Sequence, residues 1–266
     1  MHIALVELQR RVQSRLALPR LDGPIEGRLR PHELGEALLQ FENLPFDWTE
    51  FRLMFRQTAD ILRRFDVLDA SDHERLQGLA REANALEPIV LAWFDAAAHP
   101  SANGAGRREA SAPEGSTRSV RDTPSAGAID QVIAMAMRPF LARSAEVLFP
   151  RLDLSHWTSP TCPLCGGEPE FAAITAAGDR LLVCGRCTGQ WPYDPTTCPF
   201  CMNDDRRRIT SFASRDGQYR IYACEACRRY LKAYDGRRVP RQVMLSVDTV
   251  ATLPLDAAAM QKGYRG

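Results

Sequence analysis

Cys162-Pro163-Leu164-Cys165-Gly166-Gly167, Cys184-Gly185-Arg186-Cys187, Cys198-Pro199-Phe200-Cys201 and Cys224-Glu225-Ala226-Cys227 are four Cys-x-x-Cys pairs that use up all eight cysteines of the chain. Between successive pairs lie 18, 10 and 22 residues. A Cys-x-x-Cys turn brings two sulfurs to two vertices of a tetrahedron, and a second turn across a hairpin supplies the other two. The gaps of 18 and 22 residues are long enough for hairpins. The spacing therefore predicts one site from Cys162, Cys165, Cys184 and Cys187 and a second from Cys198, Cys201, Cys224 and Cys227. The expected β part of the fold is a small metal ribbon, formed twice.

Redox-active dithiols use the same motif. Here no βαβ pattern surrounds any pair; prolines and small residues flank them instead, in turns that let backbone N–H groups point at sulfur. The five histidines, His2, His32, His73, His99 and His156, all lie outside the pairs, so both sites are expected to be all-thiolate. With four protein sulfurs at each site no vertex stays open for substrate, which argues against catalytic zinc. Tetrahedral S₄ coordination suits zinc and iron alike.

Outside the cysteine block the chain has a different character. Its 266 residues, 45% apolar, 25% charged and 8% aromatic, suffice for about two globular domains. Disorder throughout, collagen and coiled coil are excluded. Residues 1–150 carry 18 basic and 21 acidic side chains, whereas 151–266 carry 16 and 12, so a formal charge of +1 conceals two unlike halves. Glu7 falls where a signal peptide needs its apolar core, and no run approaches 18 consecutive apolar residues. Eight paired cysteines in such a chain point to the reducing cytoplasm and to metal rather than disulfides. Neither lysine, Lys232 or Lys262, ends a glycine-rich run, so there is no P-loop, and no Ser/His/Asp elbow is present. A non-enzymatic protein is expected.

The first 150 residues read as helices packing on helices. Asp47 is a candidate N-cap for an amphipathic helix to Phe65, with Trp48, Phe51, Phe55, Leu62 and Phe65 on one buried aromatic face. Ser71-Asp72-His73-Glu74 has capping-box spacing ahead of Leu76, Leu79, Ala83 and Leu86, and Pro88 stands where that helix should end. Pro31–Leu39 and Ile89–Ala98 are further helical or core segments. Residues 100–128 are dominated by Ala, Ser, Gly, Pro and Arg and are expected to form a flexible surface insertion. Ile129–Phe149 resumes the helical pattern through Val132, Ile133, Met137, Phe140, Leu141 and Leu148, with Pro139 expected to kink or restart it.

Residues 206–241 contain 11 Arg or Lys against Asp216, Glu225 and Asp235, with Phe212, Tyr219, Tyr222, Tyr230 and Tyr234 interleaved. Such a stretch suits a nucleic-acid surface, an acidic protein partner, or a solvated face carrying strand aromatics.

The order Cys162-Pro-x-Cys165-Gly, Arg180-Leu-Leu-Val-Cys184-x-x-Cys187, Trp191, Cys198-x-x-Cys201 and Cys224-x-x-Cys227-x-x-Tyr230-Leu231-Lys232 resembles the formate dehydrogenase accessory protein family, FdhE. So does the ending, Asp248-Thr249-Val250-Ala251-Thr252-Leu253-x-Leu255-Asp256 followed by Gly263-Tyr264-Arg265. The resemblance covers residues 129–266; ahead of them it rests on helical character. Pro254, the segment Pro192–Thr197 and the insertion depart from the family pattern. The resemblance implies an α+β multidomain chain: a helical domain (1–150), two rubredoxin-like or zinc-ribbon β modules (155–193 and 194–240) and a C-terminal helical tail (241–266). It also implies a cytoplasmic assembly factor that binds the catalytic subunit of a respiratory formate dehydrogenase, with the eight cysteines as ligands to two metal ions, iron being favoured and zinc also fitting. A zinc-ribbon nucleic-acid binder and an iron electron-transfer protein are the alternatives.

Overall fold

The computed structural model describes residues 1–19, 37–98 and 126–266. The described residues divide into two compact units, 1–19 with 39–98 and 126–144, and 37–38 with 145–266.

The first unit is helical: α1 (His2–Gln13), α2 (Trp48–Arg64), α3 (Ala70–Arg81), α4 (Ala83–Ala98) and most of α5 (Ala126–Leu148). Asp47 caps α2 as expected, its carboxylate accepting from the Glu50 N–H at 2.8 Å. Phe51, Phe55 and Leu62 are fully buried, joined by Met54 and Ala59. Phe65, expected on that face, is 42% exposed because the helix ends at Arg64 and the chain turns away there. Phe41 and Phe46, which precede α2, extend the aromatic core: the Phe46 ring centroid lies 4.8 Å from Trp48, 5.2 Å from Phe51 and 4.9 Å from Phe140.

Two helix boundaries differ from the sequence pattern. Asp69, not Ser71, caps α3, accepting from the Asp72 N–H at 2.7 Å; its extended backbone aims the carboxylate at the first turn, in which Ser71 already lies. The helix then breaks at Glu82 (φ −97°, ψ 94°), and α4 continues through Pro88. Leu86, Val90 and Phe94 recur every four residues along α4 at 0, 0 and 1% exposure. Burying the three is worth roughly 6 kcal/mol together, at about 2 kcal/mol each, which exceeds the ~3 kcal/mol cost of an internal proline. Pro139 is likewise carried inside the single helix α5, where Val132, Ile133, Met137, Phe140, Leu141 and Leu148 are all fully buried. The helix expected over Pro31–Leu39 lies outside the described residues except for 37–39, which are not helical; of the expected insertion, only 126–128 are described, and they begin α5.

The second unit is built on one six-stranded sheet. Strands β1 (Pro169–Ile174), β2 (Arg180–Cys184) and β3 (Gln190–Pro192) form one antiparallel ribbon, and β4 (Ile209–Ala213), β5 (Tyr219–Cys224) and β6 (Tyr230–Asp235) form another. The two ribbons share a sheet in the order β3-β2-β1-β6-β5-β4 because β1 pairs in parallel with β6, Ala172 opposite Ala233 and Ala173 opposite Tyr234. Pro254 splits the C-terminal tail into α6 (Leu245–Ala251) and α7 (Leu253–Gln261), standing in the first turn of α7, where a missing N–H is tolerated. Leu245 of α6 packs with Phe171, Val183 and Tyr234, across the junction of the ribbons. Ala259 of α7 packs with Ile221, Ala223, Tyr230 and Tyr264 on the second ribbon. Among the described residues no helix is long and apolar enough to cross a membrane.

Candidate metal centres

Each Cys-x-x-Cys pair folds into the same knuckle. The carbonyl of the first cysteine accepts from the N–H four residues on, and its own N–H donates to the carbonyl five residues on. In the first knuckle these are Gly166 N–H to Cys162 O and Cys162 N–H to Gly167 O, both 2.9 Å. The pattern recurs from Cys184 (Thr188, 3.1 Å; Gly189, 2.9 Å), Cys198 (Met202, 2.9 Å; Asn203, 2.8 Å) and Cys224 (Arg228 and Arg229, both 2.9 Å). The residue four places after the first cysteine is left-handed every time: Gly166 (φ 70°), Thr188 (62°), Met202 (58°) and Arg228 (58°).

The knuckles face each other in the pairs that the spacing predicts. Cys162 Sγ lies 3.6 Å from Cys187 Sγ, and Cys165 Sγ 3.5 Å from Cys184 Sγ. In the second group Cys198 and Cys227 are 3.8 Å apart, and Cys201 and Cys224 3.7 Å. Within each group all four sulfurs lie within 4.8 Å of one another. A tetrahedral site with metal–sulfur bonds of about 2.3 Å needs sulfurs about 3.8 Å apart. Each group could therefore hold one metal ion, and the separations are far too long for disulfides.

The surroundings fit such an ion. A Cβ added to Gly167 would stand 2.9 Å from Cys184 Sγ, so the first knuckle needs glycine there to let the opposing sulfur approach. The Arg186 N–H reaches Cys184 Sγ at 3.4 Å. In the second group the N–H groups of Phe200 and Cys201 point at Cys198 Sγ, those of Cys227 and Ala226 at Cys224 Sγ, and that of Arg229 at Cys227 Sγ. Donors of this kind stabilise thiolate.

Protonation follows the same geometry. Burial pushes the Cys162 and Cys187 thiols well up and Cys198 up, whereas hydrogen bonds from Cys162, Cys184 and Cys187 hold Cys165 well down. Protons and a metal ion thus compete for the same sulfurs. The spacing located all eight cysteines but not the left-handed residues or Gly167 that shape the knuckles; the doublets Gly166-Gly167 and Thr188-Gly189 were the available signal.

Structural elements around the ribbons are held by specific contacts. Arg180, 4% exposed, donates from one guanidinium nitrogen to the carbonyls of Asp194 and Thr197, fixing the segment that leads into Cys198. Trp157 Nε1 and Trp191 Nε1 donate to Thr161 O (3.1 Å) and Ser159 O (3.3 Å), fixing the approach to Cys162. His156 is exposed and belongs to neither group.

Six of the eleven basic residues in 206–241 pair with carboxylates of the same unit. Arg220 and Arg237 pair with Asp235 (2.7 and 2.5 Å), Arg241 with Asp248 (2.5 Å) and Arg228 with Glu225 (2.5 Å). Arg229 pairs with Glu168 and Lys232 with Asp256, both at 2.8 Å. Among the described residues Arg206, Arg207, Arg208, Arg215 and Arg238 have no ion pair; of the interleaved tyrosines, Tyr219, Tyr230 and Tyr234 hydrogen-bond to Asp248, Asp256 and the Val239 carbonyl. The charge that motivates a nucleic-acid surface is thus partly offset by carboxylates of the same unit, while Arg206, Arg207, Arg208, Arg215 and Arg238 stay exposed.

No family model matches the chain, and no curated protein matches it. Among solved structures, the crystal structure of the FdhE protein from Pseudomonas aeruginosa is similar, with a TM-score of 0.56 at 18% identity over 99% of this chain and 84% of that one. The likeness shows that the chain has the FdhE fold.

Proposed function

We propose that this protein is an FdhE-type accessory factor: a cytoplasmic, non-enzymatic protein that binds the catalytic subunit of a respiratory formate dehydrogenase and supports its maturation. One observation carries the reading, the occurrence of two tetra-cysteine groups on a chain with the FdhE fold. The C-terminal segment that resembles the family supports it, since Tyr230, Lys232, Asp248, Asp256 and Tyr264, all quoted in that resemblance, tie α6 and α7 to the second ribbon.

In this reading Cys162, Cys165, Cys184 and Cys187 hold one metal ion and Cys198, Cys201, Cys224 and Cys227 a second, with iron favoured over zinc. A bound ion supplies the cross-link between facing knuckles, and its binding free energy becomes folding free energy. The chain's own residues do the rest: the knuckle N–H groups stabilise thiolate, Arg180 orders the connection between ribbons, and the parallel pairing of β1 with β6 makes one platform of the two. The reading keeps the division expected from the sequence, a helical domain (1–150), two ribbons (155–193 and 194–240) and a tail (241–266).

Tagging the protein in its native host and isolating it anaerobically at moderate salt tests the reading. Recovery of a formate dehydrogenase catalytic subunit is expected, together with loss of formate oxidation when the gene is deleted. Recovery of nucleic acid in its place, with formate oxidation intact in the deletion strain, would overturn it.

A further inference from the structure

The two sulfur groups share a ligand set and a knuckle geometry but not their access to solvent. Cys162, Cys165, Cys184 and Cys187 are each 0% exposed. In the second group Cys198 and Cys224 are buried, whereas Cys201 is exposed and Cys227 is half-buried. The difference lies in the residues that occupy matching places. Leu164, inside the first knuckle, is fully buried; its counterpart Phe200 is half-buried, with Arg229 over its ring at 3.7 Å. Gly166, four places after Cys162, is buried; its counterpart Met202, four after Cys198, is 68% exposed. The closest sulfur separations are also slightly longer in the second group, 3.7 and 3.8 Å against 3.5 and 3.6 Å.

Displacing a thiolate from a tetrahedral ion held by four sulfurs requires an incoming donor to reach the ion, and alkylating a sulfur requires the reagent to reach it. Burial denies both at the first group. We propose that the second group is an exchangeable soft-metal site whose open edge, Cys201 with Cys227, admits an external thiolate or chelator, while the first group is closed and structural. In the exchange Cys201 Sγ gives up its bond to the ion as the incoming donor forms one; the released thiolate takes a proton from water, and no oxidation state changes. The inference rests on the ligand assignment above, and the experiment separates the two.

The full chain is loaded with zinc, its zinc content measured, and an excess of chromophoric chelator added. Samples are alkylated with iodoacetamide over time and mapped by mass spectrometry. The proposal predicts two zinc ions released in two phases, the first faster on the order of tenfold or more, with alkylation appearing first at Cys201 and Cys227. Two ions released in a single phase, or first alkylation at Cys162, Cys165, Cys184 or Cys187, would overturn the proposal and leave the ligand assignment standing. A chain that takes up no zinc would overturn both.

Discussion

Met202 and Thr188 hold left-handed backbone at exposed positions, in places where the first knuckle has Gly166. A side chain in that conformation costs about 1–2 kcal/mol, whereas the greater unfolded-state freedom of glycine costs about 0.4–1 kcal/mol. Strain relief should win narrowly. Met202→Gly and Thr188→Gly are expected to stabilise the metal-loaded chain by about 0.5 kcal/mol each, read as a higher urea midpoint; a lower midpoint would contradict the strain. At this scale the cysteines were legible in the sequence because a Cys-x-x-Cys turn is local and its spacing fixes its geometry. The demand for a left-handed residue was not, since Thr, Met and Arg fill three of the four positions that Gly166 marks.

The C-terminal helices depend on one buried carboxylate. Asp248, 0% exposed, accepts from the Tyr219 hydroxyl at 2.8 Å, from Arg241 at 2.5 and 3.0 Å and from the Met244 N–H at 2.7 Å, fastening the start of α6 to β5. Burial alone would raise its pKa, but these donors overcome burial and the pKa is lowered. A carboxylate with a depressed folded pKa adds stability above its unfolded value, about 4, and that stability is lost as pH falls through the folded value. Asp248→Asn should therefore cost about 3 kcal/mol at neutral pH, measured by urea unfolding. The gap between variant and parent should narrow below about pH 4; a gap that stays constant with pH would contradict the charge-based account. The existence of α2, α3 and α5 was legible, through stripes such as Val132, Ile133, Met137 and Phe140, whereas α1 was not singled out and helix ends were less clear. Glu82 breaks a pattern that Pro88 should have ended, because the packing of Leu86, Val90 and Phe94 outweighs proline's local preference.

At the scale of the whole chain, the features hidden in the sequence are those that join distant segments. A ribbon repeated twice could be read from cysteine spacing, but nothing local announces that Ala172 pairs with Ala233 in parallel and merges the two ribbons into one sheet. The charge of residues 206–241 is partly offset from outside that window, since Glu168, Asp248 and Asp256 pair with Arg229, Arg241 and Lys232. The central claim is that this sheet carries two independent four-sulfur metal centres, and metal content per chain tests it most directly. Anaerobically purified protein should contain two ions of iron or zinc, and Cys165→Ser and Cys224→Ser should each retain the ion of the untouched centre. Two ions remaining in either variant, or none in the parent, would contradict the account.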